Sequence, residues 1–302
     1  MYQLINTTLI GITSGAIYSL MAIALVLVWR SARVVNFAQA GQALLSTYIG
    51  YEFIQKFHSF WLALFLAMAV GAAVGAIIDS TFMRILFRRA GHGPIASVAP
   101  IIATLGLLGL IRALLGLVVG GKDVRIKPPV SNVGYTVAGH TLAFSPLQLV
   151  VVGSVLILML VLSLLFQRTN VGLALRASAY SPEIARLAGV RVDGMRTLGW
   201  ALAGAAGAAA GMLQTPNGTG ALSPDSLEFS LLLVFGFIAA VIGGLESLVG
   251  AVLGGMVLGL VLAFVLTYIS GSVVFITAFG LLIAVLLVKP TGLVGKRGGR
   301  RA

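Results

Sequence analysis

The sequence predicts an all-α integral membrane protein, a polytopic helical bundle of about eight or nine transmembrane segments with a helix-bearing loop on one face. Three observations carry this. Apolar runs of about 20 residues recur along the whole chain, enough to cross a hydrocarbon core as helices. Only 9% of residues are charged and 59% are hydrophobic, whereas a soluble domain carries about 25% charge. The lysines and arginines, finally, cluster in a few short loops. No stretch is polar and long enough to form a separate soluble domain, so residues 1–302 read as a single transmembrane domain.

The expected segments are 4–29, 34–56, 60–83, 94–119, 145–166, 197–217, 228–245, 248–268 and 273–288. "MYQLINTTLIGITSGAIYSL" lacks the basic start and cleavage box of a signal peptide, so it is expected to open the first retained helix. The second segment, "VVNFAQAGQALLSTYIGYEFIQ", is semi-polar and could be broken or re-entrant. The third, fourth and fifth are plainly apolar, and the sixth contains "ALAGAAGAAAG". The seventh and eighth are so close that they could form a hairpin that does not fully cross; the ninth runs into a basic tail. Small residues recur at helix-packing spacing in Gly11/Gly15, Gly71/Gly75, Gly207/Gly211, Gly250/Gly254 and Gly255/Gly259. Lipid tails offer helices no hydrophobic reason to associate, so such faces argue for close backbone packing and a compact bundle.

Orientation follows from charge. With the C-terminus inside, most of the 20 lysines and arginines fall in inner loops: Arg30 and Arg33, the arginines of 84–89, those of 168–196, and the C-terminal tail. The N-terminus is then outside and loop 167–196 is cytoplasmic. This distribution also accounts for the net charge of +12 without nucleic acid. The absence of cysteine excludes disulfides and thiolate metal sites, and His58, His92 and His140 are scattered over different loops. There is no phosphate-binding G-x-x-x-x-G-K-[ST] loop and no H-E-x-x-H, so no catalytic residue, metal or cofactor is assigned to this chain.

The loop "NVGLALRASAYSPEIARLAGVRVDGMR" (170–196) is far longer than a connector requires. Ser181, Pro182 and Glu183 form a helix start: a hydroxyl to cap, a proline for the first position and an acid for the positive end. Gly189 offers the stop. Ile184, Leu187 and Ala188 share one side of a two-turn helix, with Ala185 between them and Arg186 elsewhere. So short a helix is marginal alone and needs a partner or the bilayer surface to cover that side.

In the second segment Asn36, Gln39, Gln42 and Ser46 lie within about 120° of arc on a 3.6-residue period. Such a stripe can line a path for a small zwitterion, or bond to a neighbouring helix. Asp79 and Arg112 stand within spans, near opposite ends, and are expected to snorkel rather than pair with each other. On the outer side, loop 120–144 alternates apolar and polar residues around turn signals, suggesting a small hairpin. There Lys122, Arg125 and Lys127 could steer an acidic partner or simply be solvated.

These stretches resemble the branched-chain amino acid ABC transporter permeases, and nearly the whole chain is covered. "GITSGAIYSLMAIALVLVW" (11–29) is similar to the family's first helix, and "VVNFAQAGQALLSTYIGY" (34–51) to its NFA segment. "AAVIGGLESLVGAVLGG" (239–255) resembles its GG hairpin, and "VKPTGLVGK" (288–296) its ending. The loop resembles the coupling segment at Thr169, Gly172, Ala174, Arg176 and Ala177, then Ala185, Leu187, Gly189 and Val190. The fit is to the first of the family's two permease types, without a long cytoplasmic extension. Two positions depart: Gly41 replaces a glutamate of the NFA segment, and Phe235 a lysine before the GG hairpin.

The resemblance implies a non-enzymatic subunit that forms a translocation path together with a second permease. Two cytoplasmic ATPases, which hold the ATP and magnesium, would dock on the 182–188 helix, and an external solute-binding protein would deliver branched-chain or other small amino acids. A urea or short-amide importer of the same class is the near alternative. A self-sufficient secondary transporter or channel would call for acidic ion ligands at mid-membrane, and none is clearly placed at that depth in the sequence.

Overall fold

The computed structural model describes residues 2–89, 94–120, 123–137 and 140–294. Every expected segment contains a helix, though not every one is helical over its whole expected length. The order begins α1 (Tyr2–Ala32), α2 (Gln39–Phe57), α3 (Phe60–Ile77), a π turn at Ile78–Met83, α4 (Arg84–Arg89) and α5 (Pro94–Val119). It continues with β1 (Val124–Arg125), β2 (Thr136–Val137), β3 (His140–Thr141), α6 (Pro146–Arg168), α7 (Asn170–Tyr180), α8 (Pro182–Leu187) and α9 (Val192–Asn217). Then come β4 (Ala221–Leu222), α10 (Leu227–Gly243), α11 (Leu248–Tyr268) and α12 (Val274–Val288). Among the described residues 6 helices are long and apolar enough to cross a membrane, with α3, the π turn and α4 forming one of them. The apolar α10 has only 17 residues, and α2 and α9 are diluted by amides, glycine and alanine.

α1 is the central post. Its residues from Leu20 to Val28 are buried all round, against α11, α9 and α10. All five small-residue pairs lie at helix contacts. A Cβ at Gly15 would stand 2.8 Å from the Gly255 carbonyl oxygen, so α1 and α11 meet backbone to backbone. α3 and α9 do the same, with Gly71 on Gly204 and Gly75 on the Trp200 carbonyl. Gly207 and Gly211 receive Gln39 and Thr47 of α2, while Gly250 and Gly254 face α10. Close approach is the attraction that lipid leaves available.

This predicts a sharp contrast. Gly71→Leu should lower the unfolding temperature and monodispersity of the purified chain, since overpacking costs about 1–3 kcal/mol even where side chains can shift, and here backbone is in the way. Gly106→Leu on α5, whose added Cβ meets nothing within 4 Å, should leave both unchanged.

The end of α1 lies beside the α10–α11 turn and α6. There Arg33 pairs with Glu246 of the α10–α11 turn, and the Arg30 guanidinium lies 4.5 Å from the Phe166 ring centre. The chain after α12 returns to this end, Leu293 donating its N–H to the Ile242 carbonyl at 2.8 Å. At the other end the expected hairpin forms between β2 and β3. A second pairing was not expected: β1 runs antiparallel to β4, tying the long loop to the turn after α9. The Asn6 side chain accepts from the Ala143 N–H at 2.9 Å, pinning the same loop to the start of α1.

Three expectations are corrected. Asp79 does not snorkel; it is fully buried and ion-paired. Arg112 turns inward, its guanidinium donating to the Ser230 hydroxyl (2.7 Å) and the Ser226 carbonyl (3.3 Å) at the start of α10. A bonded charge inside the protein is cheaper than a bare one in lipid. Asn36 is not on the helical stripe, because the chain stays non-helical through 33–38 and α2 begins only at Gln39.

Candidate functional site

The loop at the basic end is folded throughout. Thr169, in extended backbone, closes one helix and opens the next: its hydroxyl donates to the Leu165 carbonyl (2.6 Å) and accepts from the Gly172 N–H (3.0 Å). Residues 170–180, to which the sequence reading assigns no helix, are therefore the 11-residue α7. Gly172 sits so close to the Leu165–Phe166 backbone that no Cβ fits, which sets the corner between α6 and α7.

α8 starts and stops where expected, though one device differs. Pro182 holds its first position and Glu183 its first turn. The Ser181 hydroxyl makes no cap bond, because this residue serves both helices through its backbone. Its N–H donates to the Ala177 carbonyl of α7 (3.1 Å), and its carbonyl accepts from the Ala185 N–H (3.0 Å). At the far end Gly189 takes φ +82°, the left-handed region that favours glycine. The Gly189 N–H donates to the Arg186 carbonyl (3.0 Å) and the Val190 N–H to the Ala185 carbonyl (2.9 Å), a Schellman closure.

The result is a short, well-terminated helix that displays apolar side chains. Leu187 is 89% exposed and Ile184 66% exposed, while Ala185 is turned inward at 3%. Of the expected coupling residues, Ala185 thus belongs to the inner side. Ile184 and Leu187 thus make a small exposed apolar face on a loop rich in arginine.

An ionic chain runs from α8 into the bundle. Arg186 reaches Asp193 at 3.9 Å, an exposed pair worth little by itself. Asp193 also faces Arg196 at 3.8 Å, one turn along α9. The Arg196 Nε then donates to Asp79 at 2.7 Å, and the second Asp79 oxygen accepts from the Thr197 hydroxyl at 2.6 Å. Arg84 donates to that same hydroxyl at 3.2 Å, and the Arg196 guanidinium lies 5.0 Å from the Phe87 ring centre. Asp79 stands in the π turn between α3 and α4. Such turns break the regular hydrogen-bond ladder and recur at functional sites. Because α9 starts at Val192, Asp193 and Arg196 belong to the first turns of a long bundle helix, and Arg196 joins that helix to the α3–α4 junction.

The amide stripe points inward. Asn36, Gln39, Gln42 and Ser46 are all fully buried. The Asn36 amide donates to the Gln39 side chain (3.0 Å), which in turn donates to the Ala203 carbonyl of α9 (2.9 Å). The Ser46 hydroxyl donates within its own helix, to the Gln42 carbonyl at 2.8 Å. The Gln42 side-chain amide alone has neither its nitrogen nor its oxygen bonded among the described residues. Gly41 lies against Leu108 and Ile111 of α5, leaving an apolar contact where the resembled family has an acid. Phe235 is enclosed between Tyr18 (ring centres 5.1 Å) and Phe275 (5.8 Å). At the opposite end Arg125 and Lys127 are exposed on either side of buried Ile126. Lys122 and the basic tail from 295 lie outside the described residues.

Comparison with known proteins finds permeases of import systems. The family described as "Branched-chain amino acid transport system / permease component" matches residues 7–288. The high-affinity branched-chain amino acid transport system permease protein LivH of Escherichia coli K12 is 29% identical over 95% of this chain and 94% of its own length. A probable LivH of Methanocaldococcus jannaschii is 30% identical over 91% of this chain and 88% of its own. BraD of Pseudomonas aeruginosa is 28% identical over 97% and 95%. A solved chain of PsaBC from Streptococcus pneumoniae, in complex with Fab, aligns over 96% of this chain and 91% of that one, with 16% identity and a TM-score of 0.45. A helical bundle with a folded loop on its basic face, matched by that family over almost its whole length, belongs to the permease components of branched-chain amino acid transport systems.

Proposed function

We propose that this chain is the membrane subunit of an ATP-driven importer of branched-chain amino acids, and that α8 is its handle for a cytoplasmic ATPase. The observation that carries the reading is the exposure of Leu187 and Ile184 on a helix closed at Gly189 and tied through Arg196 to Asp79. In that arrangement Leu187 and Ile184 enter an apolar groove of the ATPase, and Arg186 meets its rim. Closure of two ATPases on ATP pushes α8, and the ionic chain passes the push to the π turn and α9, rocking the bundle. The basic end is cytoplasmic by the positive-inside rule, with the N-terminus outside. Arg125 and Lys127, with Lys122, steer an acidic face of an external binding protein. A second permease completes the path; the open glycine positions Gly106, Gly109 and Gly116 of α5 suit its close approach.

The unbonded Gln42 amide supports a place for it along the path. A buried amide without a partner costs free energy, so leucine there should hold or raise stability if structure were the sole concern. Gln42→Leu is expected to leave the unfolding temperature unchanged or higher while lowering uptake several-fold. Gln39→Leu should cost stability instead, about 0.6–1.7 kcal/mol, because its bond to Ala203 crosses between helices. Thermal unfolding and leucine uptake, measured side by side, separate the two.

The test of the reading as a whole is a mild-detergent pull-down of the tagged chain from its native membrane, followed by vesicle transport. Two ATPase subunits and a second permease should co-purify, and leucine uptake should need ATP inside the importing system and be outcompeted by isoleucine but not by urea. A chain recovered alone that moves solute without ATP would overturn it.

A further inference from the structure

Where α1, α6 and α7 meet the α10–α11 turn, the basic end holds a crevice of about 490 Å³. Arg30 and Arg176 both line it, and both also line the smaller pocket beneath it, beside Gly199. Neither guanidinium has a hydrogen bond or ion pair among the described residues; Arg30 rests on the Phe166 ring alone. The one acid at the mouth, Glu246, is taken by Arg33. Two like charges thus share a cleft whose one nearby acid, already paired with Arg33, offsets them only in part. Ser163 and Gln167 of α6 add polar groups at the mouth.

The walls of the crevice continue along α6 through Met159 and along α11 through Val249. One turn deeper, Leu156 and Leu253 remain exposed, at 55% and 46%. The basic mouth therefore opens onto an apolar groove between two bundle helices. Arg30 lies two residues from the end of α1, the level at which a headgroup meets a protein.

We infer that this crevice is a binding site for an anionic phospholipid, its phosphate held between Arg30 and Arg176 and an acyl chain laid between α6 and α11. Basic pockets between helices at one membrane face hold such headgroups because the charge pairing occurs outside bulk water. The groove argues for the lipid over free phosphate, since inorganic phosphate has nothing to place on Leu156 or Leu253. The inference stands apart from the transport reading, because it needs neither ATPase nor substrate.

The test is native mass spectrometry of the purified transporter complex, titrated with phosphatidylglycerol, with phosphatidylcholine, and with inorganic phosphate. One phosphatidylglycerol per copy of this chain should be retained where phosphatidylcholine is not. Arg30→Gln with Arg176→Gln should weaken that retention about thirtyfold, from two basic contacts. Val249→Trp, which narrows the groove and keeps both charges, should also weaken it, and guards against a double variant that fails to fold. Arg168→Gln, an exposed charge outside the crevice, should change nothing. Equal retention by the wild type and both crevice variants would overturn the site, as would an equal loss in Arg168→Gln. Inorganic phosphate bound as tightly as phosphatidylglycerol would make it an anion site and overturn the lipid. A complex that retains no phosphatidylglycerol, its crevice sealed by a partner subunit, would do the same.

Discussion

Leu187→Asp is expected to abolish ATP-driven uptake while the chain still inserts, folds and unfolds at the wild-type temperature. The asymmetry follows from exposure. Leu187 is 89% exposed, so its loss removes almost no contact inside the chain. The cost falls instead on the docked state. Burying a leucine in a groove contributes about 1.5–3 kcal/mol, and forcing an unpaired carboxylate into that groove costs several more. Each 1.4 kcal/mol is a factor of about ten in affinity, so ATPase binding should fall at least a hundredfold. Co-purification of the ATPase and uptake in reconstituted vesicles read the two halves separately. Ile184→Asp should behave alike. Ala185→Asp should differ in kind: Ala185 is turned into the loop, so that change should unfold α8 and lower stability as well. Normal uptake by Leu187→Asp would remove α8 from the coupling path.

How far the sequence already contained this site depends on the range of the interaction concerned. α8 was legible because its signals are local: a proline and an acid at the start, a glycine where φ turns positive at Gly189, and apolar residues one turn apart. The small-residue pairs were legible too, since a face without side chains has little use in lipid except close packing. α7 was missed although Thr169 and Gly172 carried its cap, because eleven residues with a single arginine and few apolar anchors look like a connector. The periodic stripe misled at Asn36, where a 3.6-residue count ran through a non-helical stretch that periodicity cannot detect. Two pairings were out of reach. β1 and β4 come together across nearly a hundred residues, and no local pattern announces a two-residue strand. Asp79 and Arg196 looked like one charge in a span and another in a loop. Their partnership depends on α9 beginning at Val192 and on the π turn that aims Asp79 at it.

That partnership carries the second large effect. Arg196→Met should destabilise the chain by about 3–5 kcal/mol, because it leaves a fully buried carboxylate with, among the described residues, only neutral Thr197 bonded to it. Asp79→Asn should cost less: Arg196 is 16% exposed and keeps Asp193 at 3.8 Å and the Phe87 ring. If the pair served stability alone, removing both charges should restore function along with the fold, since no uncompensated buried charge is then left. The expected result for Asp79→Asn with Arg196→Gln is different. Its unfolding temperature should return most of the way to wild type, whereas its solute moved per ATP hydrolysed should stay low. The reason is mechanical. The carboxylate accepts from residues 196 and 197 at once, on bonds of 2.7 and 2.6 Å, whereas an amide pair makes weaker, neutral bonds between more loosely held groups. A push on α8 would then move α9 without moving the π turn. Transport stoichiometry measured against thermal unfolding in the same preparation decides the matter. Wild-type stoichiometry in the double variant would reduce the ionic chain to a staple, and the push from α8 would have to travel through the backbone contacts of α9 with α3.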